Sequence, residues 1–117
     1  MDREEDVLKI ENMPFTLFPG DNDVIQNHPG ENGESVWRVL EDGDVRVRVV
    51  DYSAGFKSDH WCPRGHALLV LSGELIIDLK NGRRHVLAPG TGFLAGDDAD
   101  NPHLAWTEKG AKVFIVD

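Results

Sequence analysis

The chain has 117 residues, 40% hydrophobic and 28% charged, the balance of one folded domain with its own core rather than of a disordered polymer. Twelve basic against 21 acidic residues give a formal net charge of −9, which argues against nucleic acid or an anionic membrane surface as partner, since both need clustered positive charge. A single cysteine forbids an internal disulfide, the opening MDREEDVLKI does not read as a signal peptide, and no run of about 18 apolar residues occurs, so the expected location is the cytoplasm.

Residues 1–35 read as an N-terminal arm carrying one or two short strands over the body of the domain. VLKIENMPFTLFPG is apolar but broken by two prolines, and DNDVIQNHPGENGES is a cluster of turn formers. His28, inside that cluster, reads as a solvated surface histidine. The barrel is expected over residues 36–117. VWRVLE is a strand, Asp42-Gly43 a hairpin turn, and DVRVRVVDY alternates with Val45, Val47 and Val49 on one face and Arg46 and Arg48 on the other. HALLVLSG and ELIIDLK follow, then the Asn81-Gly82 turn, the return strand RRHVLAPG, TGFLAG, HLAWTE and AKVFIVD. About eight short strands at this spacing, with no convincing helix, predict an all-β sandwich or barrel.

ALLVL and the LII after it are apolar on both faces, where a strand facing water on one side should alternate. Something must cover the outer face, and a second copy of the chain, giving a homodimer, is preferred over the arm.

The chemistry-bearing residues gather just before this run, in SDHWCPRGHALLVLSGE. His60 and Cys62, two apart, share a side of a strand; Pro63, Arg64 and Gly65 make a turn; His66 opens the next strand. Imidazole and thiolate suit zinc and later first-row metals. A fourth donor, His103, starts a strand after LAPGTGFLAGDDADN, and antiparallel pairing allows it to lie beside the His60 segment.

This arrangement resembles a single-domain cupin. Gly55, then His60-Trp61-Cys62, His66 and Gly73 follow the spacing of the first cupin motif; Ala88-Pro89-Gly90-Thr91-Gly92 with His103 follow the second. The Asp59-His60-Trp61-Cys62 run is similar to the small bacterial DHCW-motif cupins, a group without a settled activity. The resemblance implies a double-stranded β-helix and a metal site. Cys62 stands in the slot of the family's second histidine and His66 in that of its glutamate, so the implied donors are His60, Cys62, His66 and His103. A soft sulfur in place of a hard carboxylate favours zinc, with iron or nickel as alternatives. If Cys62 ligates, four strong donors close a structural tetrahedron; if it only neighbours the metal, three histidines leave room for a substrate.

Arg48 is a candidate fork for a carboxylate or phosphate, Tyr52 a proton donor or wall residue, and Trp61 and Trp106 candidates for the pocket mouth. Asp59 is placed to orient His60, His85 reads as facing solvent, and Asp97, Asp98 and Asp100 as a solvated acidic loop. The function expected is a metal-binding cupin accepting a small polar molecule, a metal-dependent dioxygenase or isomerase. The alternatives are a non-catalytic binding or sensing domain with a structural metal, and a metal-free barrel with an inert buried cysteine.

Overall fold

The computed structural model describes residues 10–117; the first part of the expected arm, residues 1–9, lies outside them. Nine strands follow one another: β1 (Val24–Pro29), β2 (Glu34–Asp42), β3 (Val45–Tyr52), β4 (His66–Gly73), β5 (Leu75–Leu79), β6 (Arg84–Leu87), β7 (Gly92–Ala95), β8 (His103–Trp106) and β9 (Ala111–Val116). The described residues contain no helix, and none long and apolar enough to cross a membrane. The arm supplies one strand, within its expected one or two: VIQNHP, inside the segment read as a loop, pairs with β2 as an edge strand.

Six strands form one sheet in the order β1-β2-β3-β9-β4-β7, and three form the other in the order β6-β5-β8. The segment between β3 and β4 extends the smaller sheet: Lys57 bridges Asn32 and Trp106, and Cys62 bridges His103. The two sheets face each other across a core of Val50, Leu68, Val70, Leu75, Ile77, Leu87, Val113 and Ile115. Each of these comes from an inward position of its strand, so alternation alone delivers one apolar layer per sheet.

Alternation also explains two departures from simple hydrophobic patterning. On β3 the inward side is Arg46, Arg48, Val50 and Tyr52, not the Val45–Val47–Val49 side, because Val50 is fully buried in the core and shares a face with the arginines. The interior thus runs from charged at the mouth to apolar at depth. On β4, Leu68 and Val70 are buried, whereas Leu69 and Leu71 keep 44% and 46% exposure on the outer face. The arm reaches part of that face, with Phe18 6.3 Å from Phe114 of β9. Leu75, Ile76 and Ile77, by contrast, are all buried within the chain itself.

Candidate metal centre and ligand cavity

The corner between Cys62 and His66 is set by its backbone. Cys62 and His103 exchange main-chain hydrogen bonds, Cys62 N to His103 O at 2.7 Å and His103 N to Cys62 O at 3.0 Å. Gly65 lies so close to the Ala95–Gly96 backbone that a Cβ would collide with the Ala95 carbonyl oxygen. Only glycine lets β4 start flush against β7 there. The same corner is tied to the acidic loop by Gly65 N donating to Asp97 Oδ1 at 2.6 Å.

Strand parity then turns the side chains inward. His66, on β4, and His103, on β8, meet across the interior with ring centroids 4.9 Å apart and planes at 85°. Phe93 of β7 packs against both, at 5.5 and 5.6 Å. A cavity of ≈220 Å³ opens beside them, and His60, Cys62, His66 and His103 all line it. The four predicted donors therefore share one space although Cys62 and His103 are far apart in sequence. They are not drawn into a tight set: among the described residues no group of three or more His, Cys, Asp or Glu side chains stands close enough to hold an ion. His60 is the outlying member. Its side chain is 70% exposed, and Asp59 Oδ1 holds its Nδ1 at 2.7 Å, the orienting contact expected of Asp59.

The electrostatics suit a neutral imidazole pair. Burial, then the nearby His103 and Arg48, pushes His66 down to about 4 from its ordinary 6.5. Burial also lowers His103, with His60 adding to the shift. Neutral histidine is the form that ligates a metal. His66 Nδ1 is buried with no hydrogen-bond partner, and Asp117 Oδ2 stands 3.8 Å away, too far for a bond. An unmet imidazole nitrogen pointing towards a carboxylate, beside a second buried imidazole, is compatible with ligation through the other ring nitrogen. In donor chemistry the neutral His66 and His103 imidazoles fit a transition metal, although the four candidate donors are not gathered into one set.

Sequence reading missed a second group in the cavity. Asp117 accepts from Arg46 through Nε at 3.0 Å and Nη2 at 2.7 Å, and from Arg48 Nη2 at 3.0 Å. Although burial works against it, the Arg46 hydrogen bond and the charges of both arginines hold the Asp117 carboxyl below the usual range. Arg48 is only 6% exposed; its guanidinium lies 4.3 Å from the Trp37 ring centroid, and Trp37 Nε1 donates to Ser35 Oγ at 3.1 Å. His28 stacks on the same indole at 3.9 Å, so it is a packing partner rather than a solvated loop residue. The signal for Arg46 is its shared face with Arg48 on β3; Trp37 joins that face only through the pairing of β2 with β3, and nothing local marks Asp117.

Of the four residues read as candidates for the pocket, Arg48 and Tyr52 line this cavity and Trp61 and Trp106 do not. On β8 the inward positions are His103 and Ala105, which turns Trp106 outward, where its Nε1 donates to Asp78 Oδ2 at 3.0 Å and Arg84 covers it at 5.0 Å. Trp61 lies against Lys80 Nζ at 4.3 Å, on the outer rim. A second cavity of ≈330 Å³ lies on the other side of Cys62, Phe93 and His103, floored by Leu79 and Leu87. His85 is exposed, as read, but at the lip of this second cavity. Asp98 Oδ1 accepts from Asp100 N and Asn101 N, so the acidic loop caps itself.

Neither a protein-family model nor a curated protein matches the chain. Solved structures do match. A cupin-like protein from Thermotoga maritima aligns at 16% identity over 73% of this chain and 68% of that one, with a TM-score of 0.62. A sugar phosphate isomerase of the cupin superfamily from Silicibacter pomeroyi aligns at 20% identity over 80% of this chain and 67% of that one, with a TM-score of 0.61. The iron(II) form of HppE aligns at 17% identity with a TM-score of 0.67; the match takes in 92% of this chain but spans only 61% of HppE. At such identities the likeness speaks to architecture, and the architecture is that of the cupins: an all-β double-stranded β-helix.

Proposed function

We propose that the chain is a metal-dependent cupin, akin to the DHCW-motif group, that acts on a small polar molecule by oxygenation or isomerisation. The observation that carries this reading is the buried His66–His103 pair, 4.9 Å apart, opening on a ≈220 Å³ cavity that His60 and Cys62 also line. His66, His103 and His60 would hold a divalent transition metal, with Cys62 as a further donor. The metal, when bound, supplies Lewis-acid or redox chemistry. The chain's own part is to present neutral imidazoles, to keep water from the inner pair with Phe93, and to orient the ligand through Arg48 and Tyr52. Participation by the Cys62 thiolate would select zinc, whereas three histidines alone suit iron or nickel equally. The iron(II) protein among the structural neighbours supports a divalent-metal reading, and the sugar phosphate isomerase supports the isomerisation alternative.

A second reading is a sensing or binding cupin in which four donors close around a structural metal. It is favoured by Cys62, whose main chain is already bonded to that of His103. Metal analysis of Cys62→Ser separates the two. Metal kept in the variant, together with an exchangeable water detected by relaxation of a paramagnetic substitute, supports the open catalytic site. Metal lost with the thiol supports the closed one.

We further propose a cytoplasmic homodimer formed through the outer face of the six-stranded sheet. Leu69, Leu71 and Leu94 lie on neighbouring strands there, exposed by 44%, 46% and 85%.

A further inference from the structure

We propose that the cavity selects a small dianion, gripped by Arg46, Arg48 and Arg64. The proposal shares with the preceding reading only the identity of the ligand cavity and does not need the metal. The chain carries a formal net charge of −9, yet three arginines line this one space and Asp117 is the single carboxylate among its walls. With the histidines counted neutral, two positive charges stay unbalanced. A positive cleft in an acidic protein focuses its field on an incoming anion. Asp97, Glu41 and Asp44 are the competing carboxylates outside the cavity. Asp97 reaches Arg64 Nε only at 3.9 Å with both side chains more than 75% exposed; Glu41, the cross-strand partner of Arg46, and Asp44 share an outer hollow with Arg46 and Arg64, but both are exposed, where solvent screens them.

Arg48 is the built part of the site. Its residue is 6% exposed, its guanidinium is fixed over Trp37, and its Nε is buried without a partner. Such an unmet donor on a desolvated cation is costly unless a ligand compensates it. Burial, the largest influence, pulls the Arg48 pKa down, so an anion alongside would restore what desolvation takes away. Arg46 has turned Nε and Nη2 to Asp117, which anchors the cluster from beneath. Arg64, on the corner beside Cys62, has a 76% exposed side chain and is long enough to close over the mouth. Guanidinium groups arranged in this way recognise the paired oxygens of phosphate or of carboxylates. The cavity of ≈220 Å³ keeps the ligand small.

The test is calorimetric titration of the full chain, metal-free and metal-loaded, at constant ionic strength, with inorganic phosphate, malonate, acetate and glycerol. Phosphate or malonate should bind at a single saturable site, at least about tenfold tighter than acetate, and Arg64→Gln and Arg48→Gln should each weaken it by about tenfold or more. Phosphate alone would mark a tetrahedral head group, malonate alone a dicarboxylate. Arg84→Gln, on the outer face beside Asp78, should bind like the wild type. Arg64 is exposed, so its variant reports even if Arg48→Gln does not fold. Acetate as tight as the dianions, no saturable binding, or unchanged binding in Arg64→Gln would overturn the proposal. Dianion binding by a protein that takes up no metal would uphold it while sinking the metal reading; metal uptake without dianion binding would do the reverse.

Discussion

Tyr52 is the only tyrosine in the chain, which makes its ionisation directly visible. It sits on β3, two residues beyond the fully buried Val50, and lines the cavity. Desolvation by burial pushes its pKa up to about 12 from an ordinary 10; the Arg48 charge pulls the other way but does not prevail. The folded chain therefore keeps this proton where the unfolded chain has lost it. Stability from this group is fully present below pH 10 and is lost as pH rises towards 12, because over that interval the unfolded state binds fewer protons. A shift of two units corresponds to about 2.7 kcal/mol at most. The assay is a spectrophotometric titration of tyrosinate at its near-ultraviolet band, with circular dichroism followed in parallel, on wild type, on Tyr52→Phe and on urea-unfolded wild type. Unfolded protein should titrate near 10. Native protein should show no tyrosinate until about pH 12, or until it unfolds, and Tyr52→Phe should resist alkaline unfolding better than wild type. Ionisation near pH 10 with native dichroism intact would mean that the cavity wall around Tyr52 is wet, and the argument for a desolvated site would fail.

Other expectations are simpler to check. Leu69→Glu combined with Leu94→Glu should convert a dimer to a monomer of unchanged fold by light scattering; a wild type that already runs as a monomer would refute the interface. Leu75→Ala, at a site with 0% exposure, should cost about 2–5 kcal/mol in urea unfolding. Leu71→Ala, 46% exposed, should cost a small fraction of that in the monomeric background, and equal costs would contradict the assigned inward face. Trp106→Phe should lose about 1 kcal/mol with the Asp78 hydrogen bond and leave metal uptake unaltered; loss of metal would put Trp106 back in the site.

The period-two alternation, the Asn-Gly and Asp-Gly turns and the absence of helical spacing made the barrel legible, because each is a local property of the backbone. That the four candidate donors would line one cavity was legible for a similar reason. His60, Cys62 and His66 fall within one corner, and a histidine opening a late strand in an antiparallel barrel has few places to go. What local pattern does not carry is which face of a strand looks inward. The valines of β3 suggest a core face by composition, yet the arginines take the interior because β9 and β4 set the register around Val50. Trp106 was misplaced by the same ambiguity, one residue out of phase with His103. Asp117 lies at the far end of β9 from any motif, and only the pairing of β9 with β3 brings it to Arg46 and Arg48.

The central claim is that His66 and His103 form the inner pair of a metal site. Its most direct test is the metal content of freshly purified, untagged protein, before and after reconstitution, for wild type and for the double variant His66→Gln, His103→Gln. The account predicts near-stoichiometric transition metal in the wild type and almost none in a double variant that retains the β-sheet dichroism. A wild type that stays empty after reconstitution, or a folded double variant that binds as much metal as the wild type, would contradict it.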